Sequence, residues 1–358
     1  MAELRHIGLG LGRLRLWHDG LGEFSRQLGH ALAAQAAHLR ARQGVALHFH
    51  MPAQWHGEFG PEVSYLDTHT TQRWLHLRAR PFALWHNLHQ HNRLMAPLGT
   101  RLRLETVHDL NFLRTKSEAK VQRYRKRLRG HLNRCDAVAA ITQYVADDLV
   151  RELQPLRPPI HMVHNGATDL TGRPQTAVPE AEGAPFLLHV SRMAPSKNIL
   201  ALLDLAAAWP DMTVVLAGAT SAYTDTVRRW VGERKLSNVR IRLDIDEAEK
   251  AWLYAHCEGF LFPSWTEGFG LPPLEAMHFG KPVFLSRLTS LPEVGGSLAF
   301  YFDAWEGPAL RATVEQGLTA QREPGRSEAI RQHAQKFSWQ HCASQYLELY
   351  LEMMGAQT

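Results

Sequence analysis

The chain has 358 residues, 45% of them apolar and 21% charged. That is too long for one ordinary core and suits two domains of roughly 150–200 residues each. The balance excludes a disordered, collagenous or coiled-coil chain, and no apolar run approaches the ~20 residues that span a bilayer.

Charge is uneven along the chain. Residues 1–170 carry 23 Lys and Arg against 14 Asp and Glu, a net +9, whereas the rest carries a net −4; 16 of the 21 histidines also lie in the first part. A basic half joined to a mildly acidic half suits an anionic partner such as nucleic acid, phospholipid or a phosphorylated substrate. The plainer alternative is arginine on solvated faces. The N-terminal stretch MAELRHIGLGLGRLRLWHDG has charges scattered through it and no apolar h-region, so it does not read as a signal peptide. Three cysteines, Cys135, Cys257 and Cys342, are odd in number and far apart, which argues against a disulfide framework or a zinc ribbon. The expectation is a soluble, cytoplasmic protein.

In chain order, HIGLGL, GVALHFH, FALWHNL, RLRLETVHDL, AVAAIT and PIHMVHN read as strands with helical patterns between them. A second set follows: PFLLHVS, MTVVLAGA, VRIRLDI, GFLFPS, PVFLS and LAFYFD. Alternating strands and helices predict an α/β chain of two doubly wound parallel sheets. The domains are placed at 1–170 and 186–337, with the Pro- and Gly-rich stretch 171–185 as linker. Trp339, Cys342, Tyr346, Leu349, Tyr350 and Met353 fall at helical spacing after Ser338, a good N-cap. Residues 338–358 are therefore read as an amphipathic helix packing back across the domains. Doubly wound sheets bind ligands at the carboxyl ends of their strands.

The strongest motif is FLFPSWTEGFGLPPLEAMHFGKPV, Phe260–Val283. A buried strand breaks at Pro263, runs through a loop holding Glu267, Gly268, Phe269 and Gly270, and enters a helix at Pro272 or Pro273 that carries Glu275. Proline suits a first helical turn because its missing N–H would be unpaired there. Glycines let backbone N–H groups approach an anion at the positive helix end. A carboxylate beside a phosphate is repelled, so Glu267 and Glu275 read better as gripping hydroxyls of a sugar or ribose. The alternative is an ordinary strand–loop–helix with acids favouring the dipole.

This string resembles the E-x7-E signature of the retaining GT-B glycosyltransferases, a family that includes bacterial mannosyl- and glucosyltransferases. The resemblance implies two Rossmann-like domains facing a central cleft, with a GDP- or UDP-linked nucleotide sugar held by the second. A saccharide or lipid-linked acceptor then approaches from the first, in lipopolysaccharide or surface-polysaccharide synthesis. It implies no cofactor and no required metal. By carry-over, Glu267 faces the donor sugar, Gly268, Phe269, Gly270 and Leu271 line the donor, and Glu275 holds the ribose.

HVSRMAPSKN, His189–Asn198, is similar to the family's G-R-x-x-x-x-K-N pattern, with Ser191 where glycine is commoner. On that resemblance Arg192 is expected to clasp phosphate oxygens bidentately and Lys197 to supply a point charge, two fixed cations for a departing diphosphate; alone the segment also reads as a solvated loop. Near the N-terminus, Asp19-Gly20-Leu21-Gly22-Glu23 opens a helix; Gly20 and Gly22 look like the family's glycine loop over the diphosphate. HIGLGLGRL is not a dinucleotide fingerprint, since Arg13 stands where G-x-G-x-x-G needs glycine. His108-Asp109 ends a strand, and the resemblance sets His108 near the donor sugar. Ile245, in Asp244-Ile245-Asp246, either packs on the base or belongs to the core.

On the fold the resemblance implies, the segment holding His86, His89 and His91 follows a first-domain strand. They suit acceptor contacts, which is how His86, His89 and Asp109 are placed, or solvated or structural positions, or, without a nearby carboxylate or cysteine, a metal. Arg114–Arg134 holds nine Lys and Arg and one acid, Glu118, beside the stripe Val121, Tyr124, Leu128 and Leu132. Such a face suits an anionic membrane at ~1 kcal/mol per basic residue, or an ordinary solvated helix. Rival readings are a GT-B epimerase or phosphorylase, or a non-catalytic lipid- or nucleic-acid-binding protein. No nucleic-acid-reading motif accompanies the charge, so no nucleic-acid partner is expected.

Overall fold

The computed structural model describes residues 4–12, 17 and 20–355. Two compact units result, one made of the chain up to Gly166 with the segment from Ser338, the other of Ala167–Phe337. Residues 171–185, read from composition as a linker, thus fall in the second unit. There Ala181 is buried, and the Thr176 N–H donates to the Ala248 carbonyl at 3.1 Å. The final helix, Trp339–Gly355, falls in the first unit and packs on the helix Gly20–Ala33, where the Phe24 and Trp339 rings lie 5.9 Å apart.

The first unit holds seven parallel strands: β1 (Arg5–Gly10), β2 (Val45–Met51), β3 (Ser64–Asp67), β4 (Leu84–Asn87), β5 (Leu102–Val107), β6 (Ala137–Ala140) and β7 (Ile160–Met162). Their order is β3-β2-β1-β4-β5-β6-β7. Pleating sorts β4 and β5 by face. His86 and Thr106 meet Tyr346 and Tyr350 of the final helix, while Asn87 and Glu105 face the helix Glu118–Leu132, where Glu105 meets His131. Gly8 is a packing requirement: a Cβ there would lie 2.1 Å from Cε3 of Trp85, so only glycine admits that indole beside β1.

The second unit holds six parallel strands: β8 (Phe186–Val190), β9 (Thr213–Gly218), β10 (Val239–Leu243), β11 (Gly259–Phe262), β12 (Val283–Ser286) and β13 (Phe300–Phe302), in the order β10-β9-β8-β11-β12-β13. Parallel strands covered on both faces read as unbroken apolar runs, which is why β8, β11 and β12 are buried along their whole length. Leu187, Leu202, Leu216, Leu261 and Phe284 anchor the core between sheet and helices. The strand order reverses between β8 and β11, and open α/β sheets bind ligands beyond the carboxyl ends at such a reversal. The segments leaving those two strands are the two strongest sequence motifs. No helix among the described residues is long and apolar enough to cross a membrane.

Candidate functional site

After β8 the chain makes a tight turn, Pro195–Lys197. Asn198 then adopts the left-handed conformation (φ 51°) and caps the helix Ile199–Ala208. His189 anchors this turn from within the sheet. Its Nδ1–H donates to the Leu261 carbonyl at 2.8 Å, and Nε2 accepts from the Ser191 hydroxyl at 2.7 Å. Burial, with Lys197 nearby, pushes the His189 pKa down to about 4, so the ring is neutral. Ser191 therefore has a local role at this turn, since its hydroxyl satisfies a buried imidazole.

After β11 the chain runs through Pro263–Gly270 into the helix Leu271–His278. Gly270 sits at φ 126°, a conformation L side chains rarely adopt, and a Cβ there would lie 2.9 Å from Leu291 Cδ2. The loop is pinned along its length. The Ser286 hydroxyl donates to the Ser264 carbonyl at 2.6 Å, the Glu267 N–H donates to Thr289 Oγ1 at 3.0 Å, and the Ser290 hydroxyl donates to the Phe269 carbonyl at 2.8 Å. The Trp265 N–H reaches the Ser196 carbonyl at 2.8 Å, so the turn after β8 and the loop after β11 are one structure.

Two ion pairs define its electrostatics. Lys197 Nζ lies 2.5 Å from Glu267 Oε1 and 5.2 Å from the Phe262 ring centre. Glu275, buried one turn into the helix, takes Lys250 Nζ at 3.2 Å and the Tyr254 hydroxyl at 2.8 Å. Arg192 is exposed, and its guanidinium makes no hydrogen bond or ion pair among the described residues. Gly268 and Leu271 are half-buried at the helix start. The Phe269 ring is buried against Phe337, so this residue presents backbone rather than side chain. The turn and loop thus bring Arg192, Lys197, Glu267 and Gly268–Leu271 together, while Glu275 stands behind on its helix.

Ile245 is half-buried between two turn-formers. Asp244, at φ 53°, binds Thr220, and Asp246 caps the helix Glu247–His256 by bonding the Glu249 N–H at 2.8 Å. The Asp-Ile-Asp pattern is first of all turn chemistry. Lys250 and Tyr254, four apart on that helix, belong to no recognisable motif in the sequence; their i, i+4 spacing toward a buried acid is the available signal.

In the first unit, the glycines of the N-terminal motif lie in the first turn of the helix Gly20–Ala33 rather than in a loop before it. Gly22 is buried, and a Cβ at Gly20 would meet no atom within 4 Å; Asp19 lies outside the described residues. His108 is buried. Its Nε2–H donates to the Leu88 carbonyl at 2.8 Å, its ring meets Phe24 edge-on, and burial pushes its pKa down to about 3. His86 corrects the acceptor-side reading. Alternation along β4 turns it inward, where Nδ1 and Nε2 lie 2.6 Å from the Tyr350 hydroxyl and 2.7 Å from Thr106 Oγ1. Fully buried and driven to a pKa of about 3, it is a neutral core residue. His89 bonds the Leu11 carbonyl at 3.1 Å, and the Asp109 carboxylate accepts from the Asn111 N–H at 2.8 Å.

Two parallel-sheet α/β units of this topology are the GT-B fold of glycosyltransferases. Sucrose-phosphate synthase from Thermosynechococcus elongatus superposes with a TM-score of 0.74 at 20% identity, covering 98% of this chain and all of that one. Anabaena HepE (Alr3699), solved in complex with UDP-glucose, gives a TM-score of 0.69 at 16% identity, covering 96% and 98%. Residues 175–303, which lie in the second unit, match the family model for glycosyl transferases group 1. A 174-residue stretch is 34% identical to the O-antigen chain mannosyltransferase B of Escherichia coli, over 46% of this chain and 45% of that one. The matches thus span less than half the length of the first curated relatives.

Proposed function

We propose that this protein is a retaining glycosyltransferase of surface-polysaccharide synthesis. It moves a hexose from a GDP- or UDP-linked donor to a saccharide or lipid-linked acceptor, without a metal or other cofactor. The observation that carries the reading is the joined turn and loop beyond β8 and β11, which sets Arg192, Lys197 and a helix start together within the group 1 domain. The name of the E. coli relative favours mannose, and GDP-mannose is the donor to try first.

On this reading Arg192 clasps the donor diphosphate, and Lys197 adds a second cation as negative charge develops on the leaving group. Fixed cations in a water-poor site stabilise such charge without reorganising. Backbone N–H groups of Gly268–Leu271 at the helix start add partial positive charge. Glu267 takes hydroxyls of the donor sugar. Glu275, held by Lys250 and Tyr254, keeps lone pairs free to accept from the ribose. His108, a neutral imidazole, orients a sugar hydroxyl. The acceptor oxygen forms its bond to the anomeric carbon on the face the diphosphate leaves. The carbon–oxygen bond to phosphate breaks, and the departing phosphate oxygen takes the acceptor's proton. No side chain acts as a nucleophile. The exposed basic side chains of the helix Glu118–Leu132 hold the protein at an anionic membrane face, where a lipid-linked acceptor resides.

The test is hydrolysis and transfer across a panel of nucleotide sugars, with the product's anomeric configuration read by NMR. Turnover of GDP-mannose with retention is expected; inversion, or no turnover of any nucleotide sugar, would overturn the reading.

A further inference from the structure

Between the first unit's sheet and the helix Glu118–Leu132 lies a cavity of about 800 Å³. Its lining is polarised. The sheet side presents Trp85, Asn87 and Glu105, all buried. Glu105 Oε2 accepts from Asn87 Nδ2 at 2.9 Å and from His131 Nε2 at 2.9 Å, but Oε1 is buried with no hydrogen-bond partner. An unmet carboxylate oxygen in a low-dielectric wall costs the desolvation of that oxygen, so it is a place for a ligand's donor.

The rest of the lining is basic: Arg73, Arg93, Arg103, Lys116, Arg127 and Arg134. None of the six makes an ion pair or a side-chain hydrogen bond among the described residues, and Nε of Arg73 is itself buried without an acceptor. Asp109 is the other carboxylate of the lining. Protein surfaces usually intersperse the two signs, and six uncompensated cations around one cavity focus an anion-attracting field.

We propose that this cavity binds a phosphorylated sugar, its hydroxyls donating to Glu105 and its phosphate held by the surrounding arginines and lysine. Volume, charge and the unmet acceptor agree on that chemistry, since ligand sites of this kind run ~300–1,000 Å³ with few placed polar groups. A metal ion fits less well. Glu105, His131 and Cys135 bring ligand atoms within 4.8 Å of one another, but a dication there would sit in the same positive field, and burial keeps Cys135 a thiol. None of the donor-side residues is involved. The ligand's role in transfer rests on the proposed function; its binding does not.

Calorimetry on the full chain tests the site with mannose 1-phosphate, mannose and inorganic phosphate as probes. Mannose 1-phosphate is expected to bind more tightly than either part, and more weakly as salt rises. Glu105→Gln should weaken it about tenfold, the loss of one charged hydrogen bond. The double variant Arg103→Ala/Arg134→Ala, at one half-buried and one exposed position whose side chains make no hydrogen bond or ion pair among the described residues, should weaken it at least as much, with its melting temperature checked alongside. Arg192→Ala, in the second unit, should leave it unchanged. A parallel arm presents the same sugar phosphate on a prenyl chain in phosphatidylcholine vesicles. Binding of both forms supports a free ligand and binding of the vesicle form alone supports a lipid head group, each within the same cavity. Absence of binding in both arms overturns the proposal, as does binding indifferent to the first-unit variants or abolished by Arg192→Ala.

Discussion

Lys197 and Glu267 are expected to be coupled in stability but not interchangeable in function. Their charged atoms lie 2.5 Å apart, with side chains 20% and 13% exposed. Removing one partner of a fully buried pair costs ~3–5 kcal/mol; residual exposure lets water screen the survivor, which brings the cost here to about 1–3 kcal/mol. Lys197→Met and Glu267→Gln should therefore each lower the urea midpoint, and the double variant should recover most of the loss, with a coupling of about 1–2 kcal/mol. Turnover should behave differently. Lys197→Met uncovers leaving-group charge and should lose ~10²–10³ in kcat. The double variant should stay as slow, because neutralising Glu267 restores no cation at the diphosphate. The assay is a double-mutant cycle run twice, on denaturation and on nucleotide-sugar turnover. Recovery of turnover alongside stability would make the pair a structural strut and refute the reasoning. Near-native turnover of Lys197→Met would remove the donor from this turn altogether.

Arg192→Ala should lose ~10²–10³ in kcat with its melting temperature unchanged, because the exposed guanidinium has no partner in the fold; a clear melting shift would mean it does structural work. Turnover should survive EDTA, the charge at the leaving group being supplied by Arg192 and Lys197; loss restored by a divalent ion would count against the proposal. Stability should fall with acid. His86, His108 and His189 are buried neutral with pKa values lowered from 6.5 to about 3, 3 and 4. The unfolded chain then takes up protons first, so their contribution is complete above pH 6.5 and shrinks toward pH 3–4. Each His adds a slope of up to ~1.4 kcal/mol per pH unit, and urea midpoints independent of pH between 7.5 and 5 would contradict it. Lys120, Arg123 and Lys126 changed together to Glu should lower sedimentation with anionic vesicles, by about 1 kcal/mol per residue and more at low salt than at high. Arg125 and Arg129 are left alone, since they bind Glu152 at 2.5 Å and the Gln154 carbonyl at 2.8 Å. Equal, salt-insensitive pelleting would leave the helix an ordinary solvated surface.

All six strands of the second unit and six of the seven in the first coincide with apolar runs in the sequence, most plainly β8, β11 and β12, whose burial on both faces leaves an unbroken signature. The exception, β3, has the sequence SYLD and is partly exposed throughout, a four-residue edge strand whose Tyr65 and Leu66 are too short a run to announce it. Motifs at strand ends were legible for a related reason. Pro263, Gly270 and Pro272 are dictated by local backbone geometry, and local geometry is what a sequence window carries. What could not be read was pairing across elements. His86 lies in the run FALWHNL but its spacing groups it with His89 and His91, whereas alternation along β4 turns it toward Tyr350, 264 positions away. Lys250 carried no motif of its own and acquires meaning only because its helix lies against Glu275.

The same pairings bear on how the donor site is poised. Glu267 and Glu275 both already sit against lysines, Glu267 on Lys197 and Glu275 on Lys250. Had the site been an open ring of cations, their mutual repulsion would have been borne by the fold; had the acids been unpaired, they would have repelled a diphosphate. Pairing leaves the turn near neutrality, with Arg192 the unpartnered cation among these named residues. On the proposed function an incoming diphosphate meets Arg192 first. It can then draw the Lys197 ammonium partly from Glu267, because a multiply charged anion outcompetes a single carboxylate for the same point charge. The carboxylate so released gains lone pairs for donor hydroxyls at the moment a donor is present. Binding and orientation would then be one event rather than two, and Glu267 would grip a sugar only when that sugar arrives attached to phosphate.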